Sequence, residues 1–337
     1  MMVWRQRLER CLTRGWYEGA GWLWLAWPLS LITGLVVRWR RYRVNPASLP
    51  VPVVVVGGIT VGGTGKTPVL IALAEALEVQ GHKVGIIGRG YCGTVGEGPC
   101  IVQRSSPAAL VGDEPLLIAQ RANVPVVVGK NRYAAATALI EAFAPTIILS
   151  DDGLQHLTLP RSFEIVVLDG DRRLGNGRLL PMGPLREPAA RLDSVDWVLM
   201  RNGENEESAF HYQLEGFEHR HSAKVLAAEG VAKQWQGLRV AAVTGLGQPD
   251  QFFSALNSLG LTVQSHAFPD HHSLTEVDLA TIAADVIVVT EKDAVKLCGI
   301  NDERIWILVI STKVPKALLR RLGEQFNQAE AVPCSTL

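Results

Sequence analysis

Cysteine, histidine and net charge are all in short supply in this chain, and each shortage removes a class of function. The 337 residues include five cysteines (Cys11, Cys92, Cys100, Cys298 and Cys334), an odd number with no C-x-x-C pair. That argues against a disulfide framework or a thiolate zinc site and fits reduced thiols in a cytosolic compartment. The eight histidines are scattered, and adjacent side chains such as His271 and His272 point in different directions, so no zinc centre is expected. Lys+Arg and Asp+Glu are equal at 33 each, which leaves no basic footprint for nucleic acid. Internal repeats and low-complexity segments are absent too. The length allows two α/β domains with real cores.

Charge is also missing locally. Between Glu18 and Arg38 there is none, and the stretch is flanked by Arg5, Arg7, Arg10 and Arg14 before it and by Arg38, Arg40, Arg41 and Arg43 after it. Trp16, Trp22, Trp24, Trp27 and Trp39 gather more than half of the chain's nine tryptophans here. Tryptophan prefers the headgroup level, and each arginine gains about 1 kcal/mol near anionic lipid. A span needs about 20 apolar residues. Pro28 and Gly34 interrupt a stretch that is barely that long, so residues 1–44 read as a membrane-associating helical segment lying in the interface. A true span and a helix buried within the protein are the alternatives. A cleaved signal peptide is not expected, because no small-x-small site precedes the basic run.

What is present in abundance begins at Val53. The run Val53-Val54-Val55-Val56 ends in Gly57-Gly58-Ile59-Thr60-Val61-Gly62-Gly63-Thr64-Gly65-Lys66-Thr67-Pro68, followed by an apolar-periodic segment, Val69 to Val79, stopped by Gly81. Strand, glycine-rich turn, Lys-Thr and helix come in the order of a P-loop. Gly62, Gly63, Thr64, Gly65, Lys66 and Thr67 would cradle phosphates with backbone N–H groups at a helix N-terminus. Lys66 can reach the β/γ-phosphates and the Thr67 hydroxyl can ligate Mg²⁺. Pro68 suits the first helical turn. The strict pattern places glycine where this chain has Thr60, so the loop reads as a tightened variant. ATP chemistry is the expectation.

Apolar runs then alternate with helical patterns. Val84–Ile87, Val124–Val128, Thr146–Leu149, Ile165–Leu168 and Trp197–Met200 read as strands, which implies a parallel sheet covered by helices on both faces. The expected architecture is a P-loop NTPase-like domain over residues 45–208, a two-stranded connection over 209–230, and a second, smaller α/β domain over 231–337. In that second domain Arg239–Val243, Thr262–Ser265, Val286–Val289 and Trp306–Val309 read as strands. Asp250–Leu259 and Lys316–Gln328 read as helices, with room for the last to pack back on the first domain. Ligands in such sheets sit beyond the strand C-terminal ends.

Several constellations stand at those ends. Asp151 and Asp152 follow the strand Ile147–Leu149 in a Walker-B arrangement, with His156 just beyond; a turn built on Asp152-Gly153 is the bland alternative. Asp113, in Gly112-Asp113-Glu114-Pro115, heads a helix and reads equally well as an N-cap. The long glycine- and proline-punctuated loop from Leu168 to Pro188 carries Arg186 and Glu187 at its charged tip, suited to phosphate and metal respectively. One histidine of Asp270-His271-His272 could orient a carboxylate base across an interdomain cleft, or the pair could be a surface turn. Arg89-Gly90-Tyr91 could line a substrate mouth or be a turn. Thr290-Glu291-Lys292-Asp293 lacks the lysine spacing of a guanine-reading motif.

Taken together, Thr60–Pro68, Arg89–Tyr91, Gly112–Pro115, Asp151–His156, Leu168–Gly177 with Leu180–Pro188, Asp270–His272 and Thr290–Lys296 resemble the tetraacyldisaccharide 4'-kinase family, the lipid A 4'-kinases of Gram-negative bacteria. The resemblance implies transfer of the ATP γ-phosphoryl to the 4'-hydroxyl of an acylated glucosamine disaccharide 1-phosphate at the inner leaflet of the inner membrane. Its cofactors would be ATP and Mg²⁺, its partners the lipid and the membrane, with no nucleic acid and no obligate protein partner. By position, Lys66 would bind phosphates, while Thr67, Glu187 and Asp152 would hold Mg²⁺. Asp113 would take the acceptor proton with His271 paired to it. Asp151 and His156 would support metal and acceptor, and Tyr91 and Arg186 would contact substrate. The chain departs from the family at Gly58, where asparagine is expected, and at Ser273-Leu274, where an aromatic is usual. A soluble P-loop kinase of small metabolites and a membrane-bound nucleotide switch are the rival classes.

Overall fold

The computed structural model describes residues 11–90, 93, 96, 98–270, 272 and 274–326. The first sheet comprises β1 (Val53–Gly57), β2 (Val84–Gly88), β3 (Cys100–Val102), β4 (Val126–Val128), β5 (Ile147–Asp151), β6 (Phe163–Asp169), β7 (Trp197–Arg201) and β8 (Ala209–Phe210). The second comprises β9 (Tyr212–His219), β10 (Val225–Ala227), β11 (Val240–Thr244), β12 (Val263–Ala267), β13 (Val286–Thr290) and β14 (Ile305–Thr312). The helices that matter below are α1 (Trp27–Arg43), α2 (Lys66–Val79), α3 (Asp113–Arg121), α4 (Arg132–Phe143), α5 (Pro249–Ser258), α6 (Glu291–Ala294) and α7 (Lys316–Phe326).

The eight-stranded sheet runs β3-β4-β2-β5-β1-β6-β7-β8, with only β3 antiparallel to its neighbour. β1 is central, and its β-branched run has a direct cause. Val54 and Val56 face a core built with α2, α3 and α7, while Val53 and Val55 face another built with α4. A strand buried on both sides has no polar face to alternate with. Helix α2 buries Val69, Leu70, Leu73, Ala74 and Leu77 against that sheet, a stripe at helical spacing. Helix α4 starts where the Asn131 side chain accepts the Ala134 N–H at 3.1 Å.

The six-stranded sheet runs β10-β9-β14-β13-β11-β12. One segment here differs from the sequence expectation. The alternation from Phe210 to Phe217 suggested one ribbon, but Phe210 ends the first sheet and Tyr212 opens the second, where β9 pairs antiparallel with both β10 and β14. Alternation records which residues are covered, not which strand covers them. The closing helix α7 returns to the first core through Leu318, Leu322 and Phe326, and Gln325 Nε2 donates to the Ser162 carbonyl at 2.7 Å.

At the N-terminus a continuous helical stretch, Gly21–Arg43, is 23 residues long with mean hydropathy 1.3 over its most apolar window. Pro28 does not interrupt it; proline sits in the first turn of α1, where its missing N–H costs nothing. Trp22, Trp24, Leu25, Trp27, Leu29, Leu31, Ile32 and Leu35 are exposed, with Leu25 at 83%. The opposite side is docked. Ser30 Oγ donates to the Leu179 carbonyl at 2.9 Å and accepts the Met182 N–H at 3.1 Å. Trp16 Nε1 donates to the Pro181 carbonyl at 3.0 Å, and Trp16, Leu23 and Met182 form a small core of their own. Gly34 permits this approach, since a Cβ there would lie 3.1 Å from Leu179 Cδ1.

Candidate active site

Parallel pairing of β1 with β5 sets Val56 beside Asp151, so the P-loop and the acidic pair leave adjacent strand ends on the same edge of the sheet. In the loop, Gly62 and Gly65 take φ of 102° and 93°, a region that disfavours side chains, and Gly65 caps α2. Gly65 is doubly constrained, because a Cβ would lie 2.6 Å from the Tyr212 hydroxyl. Thr60 stands where the strict motif has glycine because the chain there is extended. It bridges antiparallel to Leu185, while Val61 N–H donates to Pro184 O at 2.9 Å and Arg186 N–H to Ile59 O at 2.7 Å. Gly58 is supported from outside the loop: Gln155 Nε2 donates to its carbonyl at 3.2 Å.

Lys66 Nζ lies 3.4 Å from Asp152 Oδ1, and Arg186 Nη1 donates to Asp152 Oδ2 at 2.9 Å. Asp152 occupies φ 46°, a strained conformation that turns its carboxylate off the strand end. Burial alone would raise its pKa, but Lys66 and Arg186 outweigh burial and hold it to about 2. Asp151 behaves oppositely. Burial, then Glu114 and Asp152, push it well above the usual carboxylate range, while Lys66 and Arg132 pull the other way. Arg132, itself buried, clamps the strand end by donating to the Asp151 and Gly129 carbonyls at 3.1 and 3.0 Å. Burial, then Arg132 and Arg89, lower His156 to about 4, so it is neutral at pH 7.

Glu187 is 3% exposed. Its Oε1 accepts from Gln155 Nε2 at 2.7 Å, and Oε2 faces Arg191 Nε at 3.4 Å and Arg41 Nη1 at 3.8 Å. Val37, Arg40 and Arg41 of α1 line one small cleft with Gln155, Leu157, Arg186 and Glu187. The basic end of the apolar helix therefore reaches the site itself.

On the other flank, Asp113 is the first residue of α3 rather than its cap, which is Gly112 at φ 94°. Asp113 is buried and its Oδ2 lies 3.9 Å from Lys296 Nζ of the second domain. Neighbouring Glu114 accepts from Lys292 Nζ at 2.9 Å. The second domain also touches the P-loop, where Gln248 Nε2 donates to Gly63 O at 3.0 Å. His272 stacks on Phe268 and pairs with Asp278 Oδ2 at 3.1 Å, a structural role. Tyr91, His271 and Ser273 lie outside the described residues.

Lys66, Asp152, Arg186, Gln155 and Glu187 thus form one connected group, with Asp151 behind it and Asp113 at the domain boundary. Gln155, Arg132, Arg191, Arg41 and Lys296 were not assigned roles from the sequence. Gln155, between the acidic pair and His156, and Lys296, ending the Thr290–Lys296 motif, had a local signal.

Similarity to known proteins decides between the rival classes. The sequence profile described as Tetraacyldisaccharide-1-P 4'-kinase matches residues 22–327. The chain belongs to the tetraacyldisaccharide 4'-kinase family. A relative of that name from Alcanivorax borkumensis is 43% identical over 329 residues, covering 94% of this chain and 99% of the relative. Another from Alkalilimnicola ehrlichii is 44% identical over 300 residues, covering 88% and 90%. A crystal structure of LpxK from Aquifex aeolicus in complex with ATP superimposes with a TM-score of 0.74 at 27% identity, covering 90% of this chain and 99% of that one. The tetraacyldisaccharide 4'-kinase family thus accounts for fold and length together.

Proposed function

We propose that this chain transfers the γ-phosphoryl group of ATP to the 4'-hydroxyl of a tetraacylated glucosamine disaccharide 1-phosphate, forming the bis-phosphorylated lipid A precursor. The observation that carries the reading is the meeting of the P-loop, the acidic pair and the Arg186–Glu187 tip at the foot of an exposed apolar helix. A substrate with several acyl chains stays in the bilayer, so its enzyme needs such a helix beside its catalytic groups. The site then works at the cytoplasmic face of the inner membrane.

The loose transition state of phosphoryl transfer asks for alignment and charge stabilisation. Residues 62–67 would hold the phosphate chain, with Lys66 on the β/γ-phosphates. Mg²⁺ would neutralise charge on those phosphates. Thr67, Asp152 and Glu187 suit it, because Mg²⁺ favours one or two carboxylates with water and phosphate oxygens. Two buried oxygens, Asp152 Oδ1 and Glu187 Oε2, accept no hydrogen bond, and each faces a cation at 3.4 Å, Lys66 Nζ and Arg191 Nε respectively. Among the described residues no group of three or more His, Cys, Asp or Glu could hold a metal ion. Asp113 would receive the acceptor proton late, since a carboxylate is far less basic than a sugar alkoxide; His271 would orient it. Arg186, Tyr91, Asp151 and His156 would place the sugar and support the acidic pair.

The test is transfer of label from γ-³²P-ATP to acylated disaccharide 1-phosphate in mixed micelles, wild type beside Asp113→Ala. Label in the wild-type lipid that is lost in the variant supports the reading. ATP bound without labelled lipid points to another acceptor.

A further inference from the structure

The Thr290–Lys296 segment takes no part in the chemistry above, yet it carries a lysine with only 2% of its side chain exposed. Lys296 Nζ lies 2.9 Å from Asp293 Oδ1, donates to the His272 carbonyl at 3.2 Å, and stands 3.9 Å from Asp113 Oδ2 across the domain boundary. Burying an ammonium group is costly unless charge and hydrogen bonds compensate. Asp293, itself fully buried, does not require the lysine to satisfy its oxygens. Thr244 Oγ1 and Thr290 Oγ1 each donate to its Oδ2 at 2.7 Å, and Gly245 N–H donates to Oδ1 at 3.1 Å. These bonds fix Asp293 rigidly in the second domain, and Asp293 in turn fixes Lys296.

The same segment grips α3 elsewhere. Lys292 Nζ donates to Glu114 Oε1 at 2.9 Å, and Glu291 pairs with Arg121 while accepting the Ile310 N–H at 3.2 Å. The helix that carries Asp113 is therefore held along its length by one short segment of the second domain. Its first residue is the one addressed by a buried, pre-positioned positive charge.

We propose that Lys296 is a positioning residue for phosphoryl transfer, holding the Asp113 carboxylate toward the acceptor and conveying the placement of the second domain to it. The proposal rests on Asp113 being the acceptor-side carboxylate. Misplacing a reacting group by about 1 Å costs up to about a hundredfold in rate. Lys296→Met keeps the volume and removes the charge. In that variant kcat for lipid phosphorylation falls by about ten- to a hundredfold while KM for ATP changes little, and the melting temperature falls because buried Asp293 loses its counter-charge. Lys296→Arg, which keeps the charge, retains more activity than Lys296→Met.

A double-mutant cycle on the full chain in mixed micelles separates this role from simple neutralisation of Asp293. In an Asp113→Glu background, Lys296→Met costs much less than in wild type if it acts through Asp113. Wild-type kcat in Lys296→Met, or losses that multiply in the double variant, overturns the proposal. Full activity in Asp113→Ala overturns the underlying assignment of Asp113, and the proposal with it. Lys296→Gln serves for the same comparison should Lys296→Met not fold.

Discussion

Arg41 Nη1 lies 3.8 Å from Glu187 Oε2, so the basic end of the apolar helix and the acidic tip of the active-site loop share one electrostatic environment. The row continues inward. Glu187 faces Arg191, Arg191 pairs with Glu164, and Glu164 accepts from Arg161 at 2.8 Å. Arg161 then donates to the Leu154 and His156 carbonyls at 3.2 and 2.7 Å, behind the acidic pair. Removing one end of an alternating row leaves the next charge less compensated.

If Glu187 holds Mg²⁺ as proposed, Arg41 competes with the ion for it, and the 37% exposure of the Arg41 side chain keeps the effect small. Arg41→Ala lowers the half-saturating Mg²⁺ concentration for lipid phosphorylation by about two- to fivefold. A Mg²⁺ titration at fixed ATP reads this directly. An unchanged or higher requirement would show that Arg41 exerts no hold on Glu187.

Lys66 pairs with Asp152 and, in the proposed mechanism, would also hold the phosphates. Lys66→Ala lowers kcat by about a thousandfold or more, through lost phosphate stabilisation in a water-poor site. Single-turnover transfer with saturating ATP is the measurement; transfer at the wild-type rate would remove Lys66 from the mechanism.

Docking of α1 and its proposed membrane attachment are separable. Ser30→Ala leaves the buried Met182 N–H without its acceptor and costs about 1–3 kcal/mol, seen as a lower melting temperature with vesicle binding unchanged. Replacing the exposed Trp24, Leu25 and Leu29 by serine weakens flotation with anionic vesicles and spares the melting temperature. The same pattern in both variants would mean that the two faces are not independent.

His156 supplies a pH dependence. Its pKa is held at about 4 in the fold, against 6.5 for the free side chain. Between those values the unfolded chain binds the extra proton, so stability falls as pH drops from 6.5 to 4 and the effect levels off below. His156→Gln flattens the melting temperature across that window. Parallel curves for the two proteins would contradict the assignment.

Much of the first sheet was legible because strands buried on both faces read as apolar runs; β1 and β6 are examples. The edge strand β3 was not, since its three residues are respectively half-buried, exposed and buried and are too few to show a period. The P-loop and the acidic pair were legible as local motifs. The contacts of Arg191 and Lys296 depend on partners far along the chain, and an ion pair between distant segments has no period. Thr290–Lys296 was visible as a motif whose purpose was not: Asp293 collects donors from Thr244 and Gly245, which only the fold brings near.

Under the proposed membrane attachment, Ser30, held between Leu179 and Met182, would give the enzyme a fixed working height. An α-helix rises about 1.5 Å per residue, so Arg41, beside the candidate site, stands about 25 Å along the axis from Trp24. A docked stalk of that kind cannot lift toward a substrate in solution or lean down to one that lies deeper. Enzyme and lipid would then meet by lateral travel in two dimensions. Turnover would follow the mole fraction of substrate in the surface, and diluting that surface with inert lipid would slow the reaction even at constant total substrate.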